Sequence, residues 1–310
     1  MWAVVPPLLL LVYYHHRVLT APPLSRLLLL FGVGAMSGLV ALCLEWGFEY
    51  LASWIVDWQE ITQSLPGVVI RQLVEVAPIE EGSKLGGVVL LQGSRPKRRI
   101  TLFLFTLAVA LGFTAQENWV YLANNTASIF DRLIGTPVHA LFSAPWGYAL
   151  GLARRSSLQS FGYRGLIFRA WLNAVICHAL VNILSSAWRY SPPLNLLSYS
   201  LFPFLLWMFW RLEGLFRRSQ GKPFLDLISS RHRRHFFGKL GLALLAIALG
   251  GNAIFGLFLL CRKLSPLNPA QLFSPNVKWF IVSNCGLNLI CGFVSWAIYR
   301  YLRHLAKEEV

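Results

Sequence analysis

Charge is scarce in this chain, and acid is scarcer still. Only 13% of the 310 residues are Asp, Glu, Lys or Arg, and 13 acids face 28 Lys and Arg. A soluble domain of this length carries about twice that charged fraction, which excludes a water-exposed surface over most of the chain. No hydrophilic stretch is long enough for a soluble domain, and no repeat recurs at a fixed period. The cysteines number only five (Cys43, Cys177, Cys261, Cys285, Cys291), all in apolar segments and without a C-x-x-C. That excludes a zinc knuckle and reads as small buried hydrophobes rather than disulfides. The three aspartates, Asp57, Asp131 and Asp226, fall between apolar segments, so an aspartyl dyad inside a membrane is unavailable. There is no H-E-x-x-H. The GAMSG stretch from Gly34 is not a G-x-S-G, and no histidine is placed to activate Ser37.

What is present is apolar residues, at 56% of the chain. They come in blocks of about 20, the length that crosses a bilayer as a helix. Nine such segments run over about 3–15, 27–46, 66–91, 100–123, 137–153, 165–187, 196–215, 240–261 and 277–299. The expected fold is an all-α polytopic membrane protein, one integral domain over 1–310, with nine spans, or eight if the short first or fifth segment does not cross. The first segment has neither a basic start nor a small-x-small cleavage site, so it reads as an anchor helix.

The net charge of +15 is distributed by topology. Segments 15–26, 92–99, 154–164, 211–239 and 300–310 hold 20 of the 28 Lys and Arg, whereas 47–65, 124–136, 188–195 and 262–276 hold four. The positive-inside rule then puts the N-terminus outside and the C-terminus in the cytoplasm. The basic stretch 211–239, with Arg217, Arg218, Lys222 and RHRRHFF from Arg231, interleaves aromatic residues with charge. It suits anionic lipid headgroups, and no nucleic-acid partner is expected.

Against this background the ionisable groups inside apolar segments stand out, because each costs roughly 2.5–3.5 kcal/mol to insert. The third segment carries Arg71, Glu75, Glu80, Glu81 and Lys84, and the fourth carries Glu117 and Asn118. The fifth carries His139, and the sixth Asn173, His178 and Asn182. His178 and Asn182 are i,i+4 and share a face, as do Glu80 and Lys84. Adjacent Glu80 and Glu81 diverge by about 100°, so one is expected to face a cavity and the other to pair with Lys84. Pro78 removes a backbone hydrogen bond just before them and opens the helix. Arg71 and Glu75 read as a structural i,i+4 pair. Small-xxx-small pairs at Gly34–Gly38, Gly82–Gly86 and Gly147–Gly151 permit close helix contact. The second of these is expected to bring a neighbouring helix against the glutamates.

These residues suit a water-activating site. A buried glutamate serves as general base, alone or sharing a proton with Glu117, and His178 with Asn182 can donate to a developing oxyanion. Glu81, Glu117, His139 and His178 are equally acceptable zinc ligands. A proton-coupled transporter using the same Glu/His groups is the reading from another class, but it predicts inverted repeats that the sequence does not show.

The ordered set EEGSK (Glu80, Glu81, Lys84), F-x-x-x-E-N (Phe113, Glu117, Asn118), His139 and H-x-x-x-N (His178, Asn182) resembles the PrsW family. Those membrane proteases are implicated in cutting single-pass anti-sigma factors and are distantly similar to the CAAX prenyl endopeptidases. The resemblance spans about residues 78–182. It implies peptide-bond hydrolysis within the bacterial cytoplasmic membrane, with Glu80 and Glu81 required and a single-pass membrane protein as substrate. In the prenyl endopeptidases a histidine stands where Glu117 stands here, which leaves room for a carboxylate pair or a metal site. No cofactor is favoured at this stage, and zinc is the alternative.

Overall fold

The computed structural model describes residues 1–93, 98–153, 161–187, 196–222, 233–264 and 267–308, and every regular element among them is helical. The chain divides into two compact units, Met1–Tyr190 with Leu215–Lys222, and Ser191–Gly214 with Pro223–Val310.

The first unit holds α1 (Val5–His16), α2 (Leu24–Ala52), α3 (Trp58–Ile61), α4 (Leu65–Arg71), α5 (Ala77–Leu91), α6 (Arg99–Ala123), α7 (Ile129–Gly135), α8 (Val138–Ala153) and α9 (Phe161–Ser186). Its axis is α6, which is apolar all round and buried without a break from Leu102 to Ala115. Helices α1, α2, α5 and α8 pack against it, and α9 lies against α8 and α5. Within that run the hydroxyls of Thr106 and Thr114 donate to carbonyls four residues back, Leu102 O and Ala110 O, each at 3.0 Å. They therefore need no partner from a neighbouring helix.

Helices α2 and α6 cross with their backbones in contact. A Cβ on Gly34 would land on Val109 O, and one on Gly112 would land on Phe31 O. Gly147 on α8 does the same against the Thr106 side chain. Gly82 and Gly86 behave otherwise. Nothing lies within 4 Å of a Cβ built at either, and the α5 glycine that meets neighbours is Gly87, 3.2 Å from Val33. The expected contact at Gly82–Gly86 is thus displaced to Gly87, because Glu80, Glu81 and Lys84 turn the opposite face of α5 inward.

The third apolar segment is not one regular helix. Between α4 and α5 the chain widens into a π turn over Gln72–Val76, where Ala77 N–H donates to Gln72 O, five residues back. Pro78 has no N–H to offer Val74, and the wider turn just before it absorbs that loss.

The second unit packs α11 (Arg233–Leu264) along α13 (Pro275–Glu308), with α12 (Pro269–Leu272) before α13. Ser295 Oγ donates to Ala246 O at 2.6 Å across that contact, and Gly256 admits Asn288. Helix α10 (Leu201–Ser219) contributes Pro203 against Gly251 here. Its residue Phe216 belongs to the first unit, where it meets Tyr14.

Among the described residues, five helices are long and apolar enough to cross a membrane: Leu24–Ala52, Arg99–Ala123, Arg164–Ser186, Phe236–Leu264 and Pro275–Ala306. The other four apolar segments are also helical but fall short for physical reasons. Val5–His16 has 12 residues and Val138–Ala153 has 16, below the roughly 20 that cross the hydrocarbon. The third segment is interrupted, and α10 carries Arg211, Glu213, Arg217 and Arg218. Of the basic stretch 211–239, residues 223–232 lie outside the described residues, as do 94–97 and 154–160 of the other basic segments. Cys177 is buried as expected, but Cys43 is exposed, because it sits on the outward face of α2.

Candidate active site

The π turn and α5 bring Glu80, Glu81 and Lys84 onto the face that meets α6, α8 and α9. All three are buried, at 7%, 0% and 0% exposure. Lys84 is the hub. Its Nζ donates to Glu80 Oε2 at 3.2 Å, to Glu81 Oε1 at 2.9 Å and to His139 Nδ1 at 2.8 Å. The three donors of an ammonium are thereby used, and the Phe113 ring centre lies 3.9 Å away. The expected division, one glutamate free and one paired with lysine, is not what forms. A four-carbon stem at i+3 and i+4 reaches both carboxylates.

The two glutamates nevertheless differ. The other oxygen of Glu81, Oε2, accepts from Ser143 Oγ and Trp146 Nε1, each at 3.0 Å. Glu80 takes its hydrogen bond from Lys84 alone among the described residues. Glu81 is locked in place, whereas Glu80 keeps acceptor capacity.

His139 and His178 flank Glu80. With Lys84 as an ammonium, His139 Nδ1 accepts, so Nε2–H donates to Glu117 Oε2 at 2.8 Å. His139 Nδ1 and His178 Nε2 each stand 3.8 Å from Glu80 Oε2. His178 Nδ1 lies 3.4 Å from Glu81 Oε1, and this buried nitrogen has no hydrogen-bond partner among the described residues. The imidazole of His178 stacks on Phe142 at 4.4 Å between ring centres and meets His139 edge-on at 5.3 Å. One ligand atom from each of Glu80, His139 and His178 fits within 4.8 Å of the others, a geometry that can hold a metal ion.

Glu117 Oε2 is shared between His139 and Arg132, whose terminal nitrogen donates at 2.6 Å. Arg132 Nε also donates to Asn118 Oδ1 at 2.6 Å, and the guanidinium lies 4.4 Å from the centre of the Tyr121 ring. Asn182 lies one turn beyond His178, with its Nδ2 donating to Gln72 Oε1 at 2.8 Å in the π turn. Asn173 accepts from Cys177 Sγ at 3.8 Å. Arg71 bonds Glu49 and Glu75, and Trp58 Nε1 donates to Glu75 Oε2 at 2.8 Å, so that group is a structural tie holding α2, α3 and the π turn together.

Sequence reading missed Arg132, Ser143, Trp146 and Glu45. The last is a half-buried carboxylate on α2 that feels the charges of Glu80, Glu75, Arg71 and Glu117. A signal existed for two of them: His139, Ser143 and Trp146 stand at i, i+4 and i+7, one face of α8. The role of that face gives a test. Trp146→Phe, which deletes one donor to Glu81 and keeps the aromatic bulk, is expected to slow the reaction of this site by about tenfold, read from initial rates.

Carboxylates and imidazoles buried among apolar helices form an ionisable site inside the first unit. The model of the PrsW family intramembrane metalloproteases matches residues 22–208, and the chain belongs to that family. It is a membrane-embedded protease. No curated protein and no solved structure matches the chain.

Proposed function

We propose that this protein cleaves a peptide bond in or near the transmembrane segment of a single-pass membrane protein, at a divalent-metal centre held by Glu80, His139 and His178. The observation that carries the metal is the triangle of Glu80 Oε2, His139 Nδ1 and His178 Nε2 around one point. Two histidines and a glutamate with a fourth position open are the donor set of a catalytic zinc, and all three residues are buried, as such a group requires. When bound, the ion would supply Lewis-acid polarisation of a carbonyl and water of lowered pKa.

The chain's own residues do the rest. Glu117 orients His139 through Nε2, the carboxylate–histidine arrangement that steadies metal ligands, and Glu81 Oε1 stands 3.4 Å from His178 Nδ1. Ser143 and Trp146 fix Glu81, while Phe113 and Phe142 wall the site against water. A carboxylate of this network would take the proton of the attacking water. That proton then passes to the leaving amine, so hydrolysis is proton-neutral at the site.

Metal-free catalysis with Glu80 as general base is the second reading. Lys84 favours it, because its ammonium already occupies His139 Nδ1. Metal analysis of the purified protein, with cleavage of a single-pass test substrate in proteoliposomes, separates the two. Bound metal, with activity lost to 1,10-phenanthroline and restored by zinc, is expected. Full activity in metal-free protein would overturn the metal and leave the glutamate base.

The same proposal includes the topology: nine spans with the N-terminus outside, or eight if the short Val5–His16 or Val138–Ala153 helix does not cross, and the C-terminus cytoplasmic, in a bacterial cytoplasmic membrane. The positive-inside distribution supports it, as does the helical state of all nine apolar segments. Arg217 and Arg218 in the last turn of α10 would meet anionic headgroups on the cytoplasmic side.

A further inference from the structure

We propose that Lys84 is a resident cation that competes with the metal: it holds the ligand triangle together without metal and must release His139 and Glu80 before metal can bind. This rests on the metal reading above and concerns what sets the affinity of that site.

The argument begins with His139. Both of its ring nitrogens are engaged, Nε2 with Glu117 and Nδ1 with Lys84. Nε2 carries the proton, so the lone pair that can serve a metal is on Nδ1, where Lys84 sits at 2.8 Å. The same ammonium is 3.2 Å from Glu80 Oε2, a second corner of the triangle. Lys84 thus takes a position that a metal ion would claim, with a charge of the same sign. Two cations cannot share two ligand atoms at contact distance, so occupancy by one excludes the other.

The surroundings allow the exchange. Glu81 Oε1, 2.9 Å from Nζ, lies outside the Glu80–His139–His178 triangle, and the Phe113 face lies 3.9 Å away. An ammonium that leaves His139 and Glu80 keeps a carboxylate partner and a ring to rest on. The flexible four-carbon stem of lysine permits this small retreat, where the planar fork of arginine would not. Charge balance asks for a resident cation when metal is absent. Among the described residues, Glu80, Glu81 and Glu117 meet only Lys84 and Arg132 as Lys or Arg ion-pair partners.

The test uses the full chain in detergent, with zinc affinity read by competition with a chromophoric chelator and thermal unfolding followed with and without zinc. Lys84→Met is expected to bind zinc about 10- to 100-fold more tightly than the wild type, the worth of one or two charge-assisted hydrogen bonds. It should also gain more in Tm on adding zinc than the wild type does. Should Lys84→Met not fold without metal, the charge-compensated double variant Lys84→Met/Glu81→Gln is expected to bind zinc more tightly than the wild type. Wild-type zinc binding that Lys84→Met and the double variant match or fall below would overturn the competition. Absence of zinc binding in every protein would overturn the metal reading itself, a separate failure.

Discussion

Replacing Glu80 by glutamine is expected to cut cleavage by about a thousandfold with little loss of fold, whereas the same change at Glu81 is expected to cost both. The two residues are neighbours, yet their surroundings differ. Among the described residues Glu80 is bonded by Lys84 alone, and a glutamine carbonyl can still accept that bond. What Glu80→Gln removes is the negative charge and the basic carboxylate oxygen that hold metal or take a proton, which are needed only for chemistry.

Glu81 accepts from Lys84 on one oxygen and from Ser143 and Trp146 on the other, with no exposure to solvent. A glutamine amide there must point its NH2 at donors on one side or the other. A buried donor then faces a donor, at a cost of about 1–3 kcal/mol, besides leaving Lys84 with less to balance it. Initial rates of substrate cleavage in proteoliposomes, paired with Tm in detergent, read both effects. Glu80→Gln cleaving within tenfold of the wild type would sink the assignment of the reacting carboxylate. Equal Tm losses in the two variants would sink the distinction between them.

Much of this site was legible because membrane insertion penalises ionisable groups, so those that persist in apolar spans announce themselves. Glu80, Glu81, Lys84, Glu117, His139 and His178 were all visible on that ground, and the structure brings them within one network. Arg132 escaped notice because it lies between apolar segments, where a basic residue reads as a topology count. Only the fold of α7 carries it back over Glu117. Ser143 and Trp146 are ordinary in a membrane helix and gain meaning only through their register with His139. The division of labour between Glu80 and Glu81 was beyond sequence reasoning for the same reason, since it depends on which face of α8 arrives opposite. The helices themselves followed from apolar runs, but the π turn over Gln72–Val76 did not: Pro78 marks a break without saying how the chain absorbs it. It is in that turn that Gln72 meets Asn182, which had been expected to serve the reaction.

The packing beneath the site gives the second large effect. Gly112→Ala is expected to destabilise the protein by about 3 kcal/mol, while Gly82→Ala leaves it unchanged or stabilises it by up to about 1 kcal/mol. Each adds one methyl to an apolar helix, so lipophilicity and bulk are matched and only the neighbours differ. At Gly112 the methyl would land on the carbonyl oxygen of Phe31, a backbone atom that no rotamer change can move aside. Relief requires α2 and α6 to separate along a contact where Gly34 already brings α2 against Val109 O. At Gly82 there is nothing within 4 Å, and alanine gains the helix propensity that glycine lacks. The separation also reaches the chemistry. Glu117 lies five residues beyond Gly112 on α6, and its carboxylate orients His139 at 2.8 Å. A shift of α6 by even a fraction of an ångström lengthens that bond, so Gly112→Ala should lose cleavage at temperatures where it is still folded. Thermal unfolding in detergent and initial rates well below Tm separate the two losses. Equal Tm for the two variants would show that the α2–α6 contact is not backbone-limited, and full activity in folded Gly112→Ala would show that Glu117 tolerates movement of its helix.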